Sequence, residues 1–142
     1  MGCMMLCELN LKYPDVFAGS FMVAGQWDPD RMGAVKDQNI WILVSEKDAK
    51  AFPIMGACME NVEKNGGTVV RGHIDAKASS EEQNKRIREL AQKDGHIFFT
   101  WYEGDSVLME GAEVFPGAYH LSTWIHAYSL EAVQEWLFTC RK

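Results

Sequence analysis

This sequence lacks any block of positive charge. Lys and Arg total 14 against 20 Asp and Glu, a net charge of −6, and neither sign runs in a long stretch. Polyanions are held by clustered cations, so nucleic acid is not an expected partner. Long hydrophobic runs are also missing. The longest, such as Phe21 to Gly25 and Ile40 to Val44, are far too short to cross a bilayer, so no membrane span is expected. The apolar opening "MGCMMLCELN" has no basic residue ahead of it and is interrupted by Glu8, unlike a secretory signal. Met1-Gly2-Cys3 invites acylation, but that signal wants Ser or Thr at the sixth position, where this chain has Leu6. The compartment therefore stays open. Internal repeats and low-complexity linkers are absent too.

Cysteine is sparse, at Cys3, Cys7, Cys58 and Cys140. A chain of 142 residues that is 47% apolar can close one core without disulfides, and reduced cysteine packs as a small hydrophobe. Cys3 and Cys7 could share a helix face and a metal, but zinc needs two more ligands at sensible spacing and none is near. No metal and no cofactor are expected.

What is present alternates between two periodicities. Met4, Met5, Leu6, Leu9 and Leu11 predict an apolar helix that stops at Tyr13-Pro14. Ala18 to Ala24 predicts a buried strand, and "GQWDPDRMGAVKDQ" has the composition of a loop. "IWILV" (Ile40 to Val44) is the clearest strand. A helix is expected from about Ile54 to Lys64, stopped by Asn65-Gly66-Gly67, then a strand over Thr68 to His73. Ser79 and Glu82 form a capping box at the head of a charged helix to about Lys93. His96 to Gly104 is a further strand, and one last helix is expected from Leu121 to Cys140. Alternating strands and helices of this kind predict an α/β domain with a mostly parallel sheet flanked by helices.

In open α/β sheets, ligands bind beyond the carboxyl ends of the strands. Asp48 lies just past "IWILVSE", and His120 lies at the head of the last helix in "GAYHLSTWIHAY". An acid after one strand and a histidine further along is the order in which α/β-hydrolases supply the second and third members of a Ser, Asp, His triad. A serine in a G-x-S-x-G elbow is what this sequence lacks. "MG" followed by an apolar helix is what comes directly after such a serine, so the chain reads as though it starts one residue late.

On these residues the chain resembles the C-terminal half of an α/β-hydrolase, in the esterase branch with polyhydroxybutyrate depolymerase-like, feruloyl esterase-like and prolyl-oligopeptidase-like proteins. The resemblance covers the opening helix, "AGSFMVAG", "SEKDAKAFPIM" and the closing "HLSTWIHAYSLEAVQEWLF". It implies one partial α/β-hydrolase domain over residues 1–142, with an inserted helix-strand or flap segment at 75–117 before the final helix. It implies that Asp48 is the triad acid and His120 the base, with the Met1 N–H in the oxyanion hole beside one from an upstream loop. Trp27, Asp28 and Asp30 are candidates to line the cleft. The competing readings are a turn residue for Asp48 and a capping or packed histidine for His120. His126 is the rival base, inside the helix, while His73 and His96 sit in or beside strands and read as structural.

The expected partner of the full-length parent is a small-molecule ester, and the chain without its nucleophile is expected to be inactive alone. Two alternatives stand beside this. One is a binding or assembly module that pairs with a second copy, or with an N-terminal half, through an exposed sheet edge. The other is a peptidase of the same fold, since the triad serves both bonds.

Overall fold

The computed structural model describes residues Met1–Lys142. Its sheet is built on strand β2 (Ile40–Ser45), whose residues are all buried. A strand buried on both faces needs an unbroken apolar sequence and a neighbour on each edge, and "IWILV" has both. β1 (Ser20–Val23) lies parallel on one side and β4 (Ile97–Tyr102) on the other. β3 (Val69–Ile74) pairs only with β4 and alternates buried with exposed side chains, as an edge strand does. The sheet therefore has four parallel strands in the order β1-β2-β4-β3.

Six α-helices cover this sheet. Helices α1 (Gly2–Lys12), α2 (Pro29–Met32) and α3 (Ala51–Lys64) share one core layer, where Met22, Met55, Cys58 and Met59 meet Ile40, Ile42, Val44 and Phe99. Helices α4 (Ser80–Ala91), α5 (Ala118–Ala127) and α6 (Glu131–Thr139) share the other. There Trp41 stacks on Phe98 at 4.5 Å between ring centroids, and Trp136 packs edge-on against both. The buried Trp41 indole N–H donates to Thr100 Oγ1 at 3.0 Å, and Thr100 in turn donates to the Ile42 carbonyl at 2.8 Å. A buried indole left without a partner would cost a hydrogen bond's worth of stability, so Thr100 is what permits a tryptophan here. All four cysteines are free thiols, with Cys7 and Cys58 in the first core layer.

The sequence expectation differs from the structure at three elements. The expected single last helix is two, α5 and α6, broken at Tyr128-Ser129-Leu130. The Ser129 hydroxyl takes the His126 carbonyl at 2.7 Å while Leu130 turns into the core, so burial outweighs helix continuity. Helix α3 begins at Ala51, ahead of the expected Ile54, because Pro53 falls in the first turn, where its missing N–H has no partner to lose. The expected loop after β1 contains α2, capped by Asp28, and a 3-10 turn at Gly33–Val35. A Cβ on Gly33 would lie 2.3 Å from the Asn65 side chain, so glycine allows this segment to sit on α3.

Residues 75–117 contribute α4 and the interior strand β4, then a connection that returns over the carboxyl ends of the strands to α5. No helix is long and apolar enough to cross a membrane.

Candidate functional site

The turn after β2 carries Asp48 into the sheet's carboxyl end. Its N–H donates to the Ser45 carbonyl at 3.0 Å, closing the turn, and its side chain is only 6% exposed. Oδ1 accepts from the backbone N–H of Lys50 at 3.0 Å and of Ala51 at 2.9 Å. These are orphan donors at the head of α3, and aspartate is among the side chains best suited to satisfy them. The capping bonds fix the carboxylate and leave Oδ2 free to face another element.

That element is α5. His120 sits in its first turn, and His120 Nδ1 and Asp48 Oδ2 are 2.6 Å apart. A carboxylate accepts, so Nδ1 is the donor of this pair, and the neutral ring in that tautomer has its lone pair on Nε2. Nε2 makes no hydrogen bond within the chain and is not sealed from solvent. The imidazole also meets the Trp124 ring edge-on at 5.2 Å. Two buried hydroxyls hold the helix in place: Ser45 Oγ and Thr123 Oγ1 hydrogen-bond at 2.8 Å, and both reach the Tyr119 carbonyl, at 3.3 and 2.8 Å. Ser45 precedes Asp48 and Thr123 follows His120, so this pair ties together the two segments that carry the dyad.

A second, exposed set of bonds closes the rim. Lys47 Nζ donates to Asp105 Oδ2 at 2.9 Å, and the Tyr119 hydroxyl donates to Asp105 Oδ1 at 2.5 Å. The Tyr119 hydroxyl, and after it Lys47, hold the Asp105 carboxyl below the usual carboxylate range, while Asp105 raises both partners. Glu46 also accepts from the Gly104 N–H at 2.7 Å. The β2–α3 turn, the β4–α5 connection and the head of α5 are thereby tied into one wall.

Asp48 and His120 line an open cleft of about 910 Å³. Val114, Phe115, Pro116 and Leu121 give it an apolar side, and Lys47 and Lys50 a cationic one. Such a space, with a paired acid and imidazole at its wall, suits proton transfer to or from a bound molecule.

The other sequence candidates lie elsewhere. Trp27 and Asp28 do not line this cleft; Trp27 packs on the α1–α3 core layer, with its carbonyl accepting from Cys58 Sγ at 3.4 Å, and Asp28 caps α2. Asp30 lies within α2, and Gln26 is the residue of that region that reaches the cleft. Met1 is exposed ahead of α1, and its carbonyl accepts from the Met5 N–H at 3.1 Å. His126 has its Nε2 3.0 Å from the Val107 carbonyl. His73 lies 3.8 Å from Glu103 on the far edge strand, and His96 is exposed ahead of β4. Sequence reasoning did not single out Ser45, Thr123, Lys50 or Tyr119. Only their place beside Asp48 and His120 in the chain pointed to them. No group of three or more His, Cys, Asp or Glu side chains comes together in a way that could hold a metal ion.

Comparison with protein-family models gives no match, and neither does comparison with curated proteins. Among solved structures, a crystal structure of a thermostable esterase superposes with a TM-score of 0.62 at 20% sequence identity. The match covers 96% of this chain and 28% of that one, so the chain spans well under a third of its length. The likeness is one of fold: a parallel sheet flanked by helices that corresponds to part of an α/β-hydrolase-like architecture.

Proposed function

We propose that the chain carries the acid and base of a serine hydrolase that acts on carboxylic esters. The observation that supports this most is the Asp48–His120 pair: a capped, buried carboxylate holds Nδ1 at 2.6 Å and leaves Nε2 unpartnered at a cleft. In this reading His120 takes the proton from a serine hydroxyl as it attacks the ester carbonyl, then delivers it to the leaving alcohol. Asp48 keeps the imidazole in the required tautomer and stabilises the imidazolium as it forms.

No serine of the chain hydrogen-bonds to His120. Ser20 is bound to Asn10, Ser45 to Thr123, and Ser79 to Glu82 in the capping box. In this reading the nucleophile belongs to a segment at the N-terminal end of α1, with the Met1 N–H in the oxyanion hole. Supporting this, Cys3 packs against Gly25, where a Cβ would lie 2.5 Å from its Sγ, and the next residue, Gln26, lines the cleft. Through Gly25, the opening turn of α1 is linked to one residue of the cleft wall.

The test compares the 142-residue chain with a longer version that includes the residues encoded directly ahead of Met1. p-Nitrophenyl butyrate turnover is expected only in the longer protein, and His120→Ala should lower it by about four orders of magnitude or more. Comparable turnover by the shorter chain that survives His120→Ala would sink the reading. A peptide substrate in the same assay distinguishes an esterase from a peptidase.

A second reading is favoured by one observation: β1 pairs with β2 alone, which leaves its outer edge open. An edge of this kind accepts a further strand, from a second copy or an N-terminal half. A single monomer peak in sizing chromatography at tens of micromolar, unchanged on adding a chain that carries the residues encoded ahead of Met1, counts against it.

A further inference from the structure

We infer that the cleft takes an ester that also bears a free carboxylate, with Lys50 as the residue that receives it. The inference rests on the hydrolase reading of the Asp48–His120 site and narrows its substrate class.

The cleft's charge is one-sided. Its ionised lining groups are Lys47, Lys50 and Asp48, and its only acid, Asp48, is buried and engaged by three donors. Lys47 is neutralised by Asp105, which accepts it with both oxygens at 3.0 and 2.9 Å. Lys50 is exposed, and its ammonium makes no ion pair or hydrogen bond. It is thus the one uncompensated charge of the cleft wall, on a protein whose net charge is −6.

Its position is fixed closely. The Lys50 backbone N–H donates to Asp48 Oδ1, so its Cα is two residues from the acid of the dyad and held by the same cap. A lysine side chain extends several ångströms from there, and a compact ammonium binds a carboxylate as a point charge. Val114, Phe115, Pro116 and Leu121 of the same lining call for an apolar body. One molecule meets both demands when it has an apolar group on one side of the ester and an anionic end on the other, as a half-ester of a dicarboxylic acid does. A neutral diester of the same size would leave Lys50 unpaired.

Two probes that differ by one methyl group test the charge: monobenzyl succinate and benzyl methyl succinate. Each is titrated into the 142-residue chain at low salt and followed by amide and imidazole NMR shifts, which needs no turnover. The anionic probe is expected to bind about two- to fivefold more tightly, the range of an exposed ion pair, with shifts at Lys50 and His120. Lys50→Gln should abolish that preference, Lys50→Glu should reverse it, and added salt should weaken it. Equal affinities, a preference that survives Lys50→Gln, or no binding of either probe would each overturn the inference. The hydrolase reading fails separately, through the turnover of the longer protein with p-nitrophenyl butyrate, a neutral ester on which Lys50 has no bearing.

Discussion

Helix α5 carries two histidines, one at each end, in opposite situations. His120 in the first turn has Nδ1 held by a buried carboxylate and Nε2 unpartnered at a cleft. His126 in the last turn has Nε2 against the Val107 carbonyl, and its ring packs edge-on against Tyr102 at 5.8 Å. A carbonyl only accepts, so His126 Nε2 carries the proton and has no lone pair to offer there. Chemistry on this helix is therefore decided by what the neighbouring elements present. β2 and its turn bring an acceptor to one end, and the β4–α5 connection brings a backbone oxygen to the other.

The sharpest way to break this contrast is to remove the acid. In the longer protein, Asp48→Asn should lower turnover by about four orders of magnitude, since an amide can impose the wrong tautomer without moving the ring. In the 142-residue chain the same exchange should erase the low-field Nδ1 proton of His120. Persistence of that proton would show that Asp48 does not hold the imidazole.

Thr123→Val comes next. It removes a fully buried hydroxyl from the Ser45 and Tyr119 partners behind the dyad. A loss of about 1–2 kcal/mol in urea unfolding is expected, with a shift of the His120 imidazole signals. Unchanged signals would mean that the hydroxyl pair does not position His120.

His126→Gln is expected to do less, costing about 1 kcal/mol or below for one hydrogen bond and leaving turnover within twofold. A large loss of turnover would erase the contrast between the two histidines.

The smallest effect concerns the rim. Asp105 is held below its unfolded value of about 4, so its contribution to stability is present above that pH and fades as pH falls through its lower folded pKa. Asp105→Asn should therefore lower the thermal midpoint slightly near neutrality and flatten the acid limb, so that the two curves converge at low pH. Superimposable acid limbs would argue against the Tyr119–Asp105–Lys47 bonds in solution.

Much of this site was nameable from the chain, and its assembly was not. Asp48 stands out because it follows a strand, where α/β sheets bind ligands, and His120 because an acid and then a histidine further along is the triad order. Trp27 and Asp28 stand in a loop after a strand too, yet one packs in a core layer and the other caps α2. Local composition marks a loop but not the direction in which it turns.

By itself, the sequence determined the elements whose signals are local. β2 follows from an unbroken run of branched residues, α4 from the Ser79–Glu82 capping box, and the end of α1 from Tyr13-Pro14. Only the tertiary structure decided that β4 lies between β2 and β3, that the last helix breaks so that Leu130 is buried, and that an acid and an imidazole 72 positions apart come within 2.6 Å. The reason is physical: periodicity and capping act over a few residues, whereas strand order and side-chain meeting are set by how distant apolar faces bury one another.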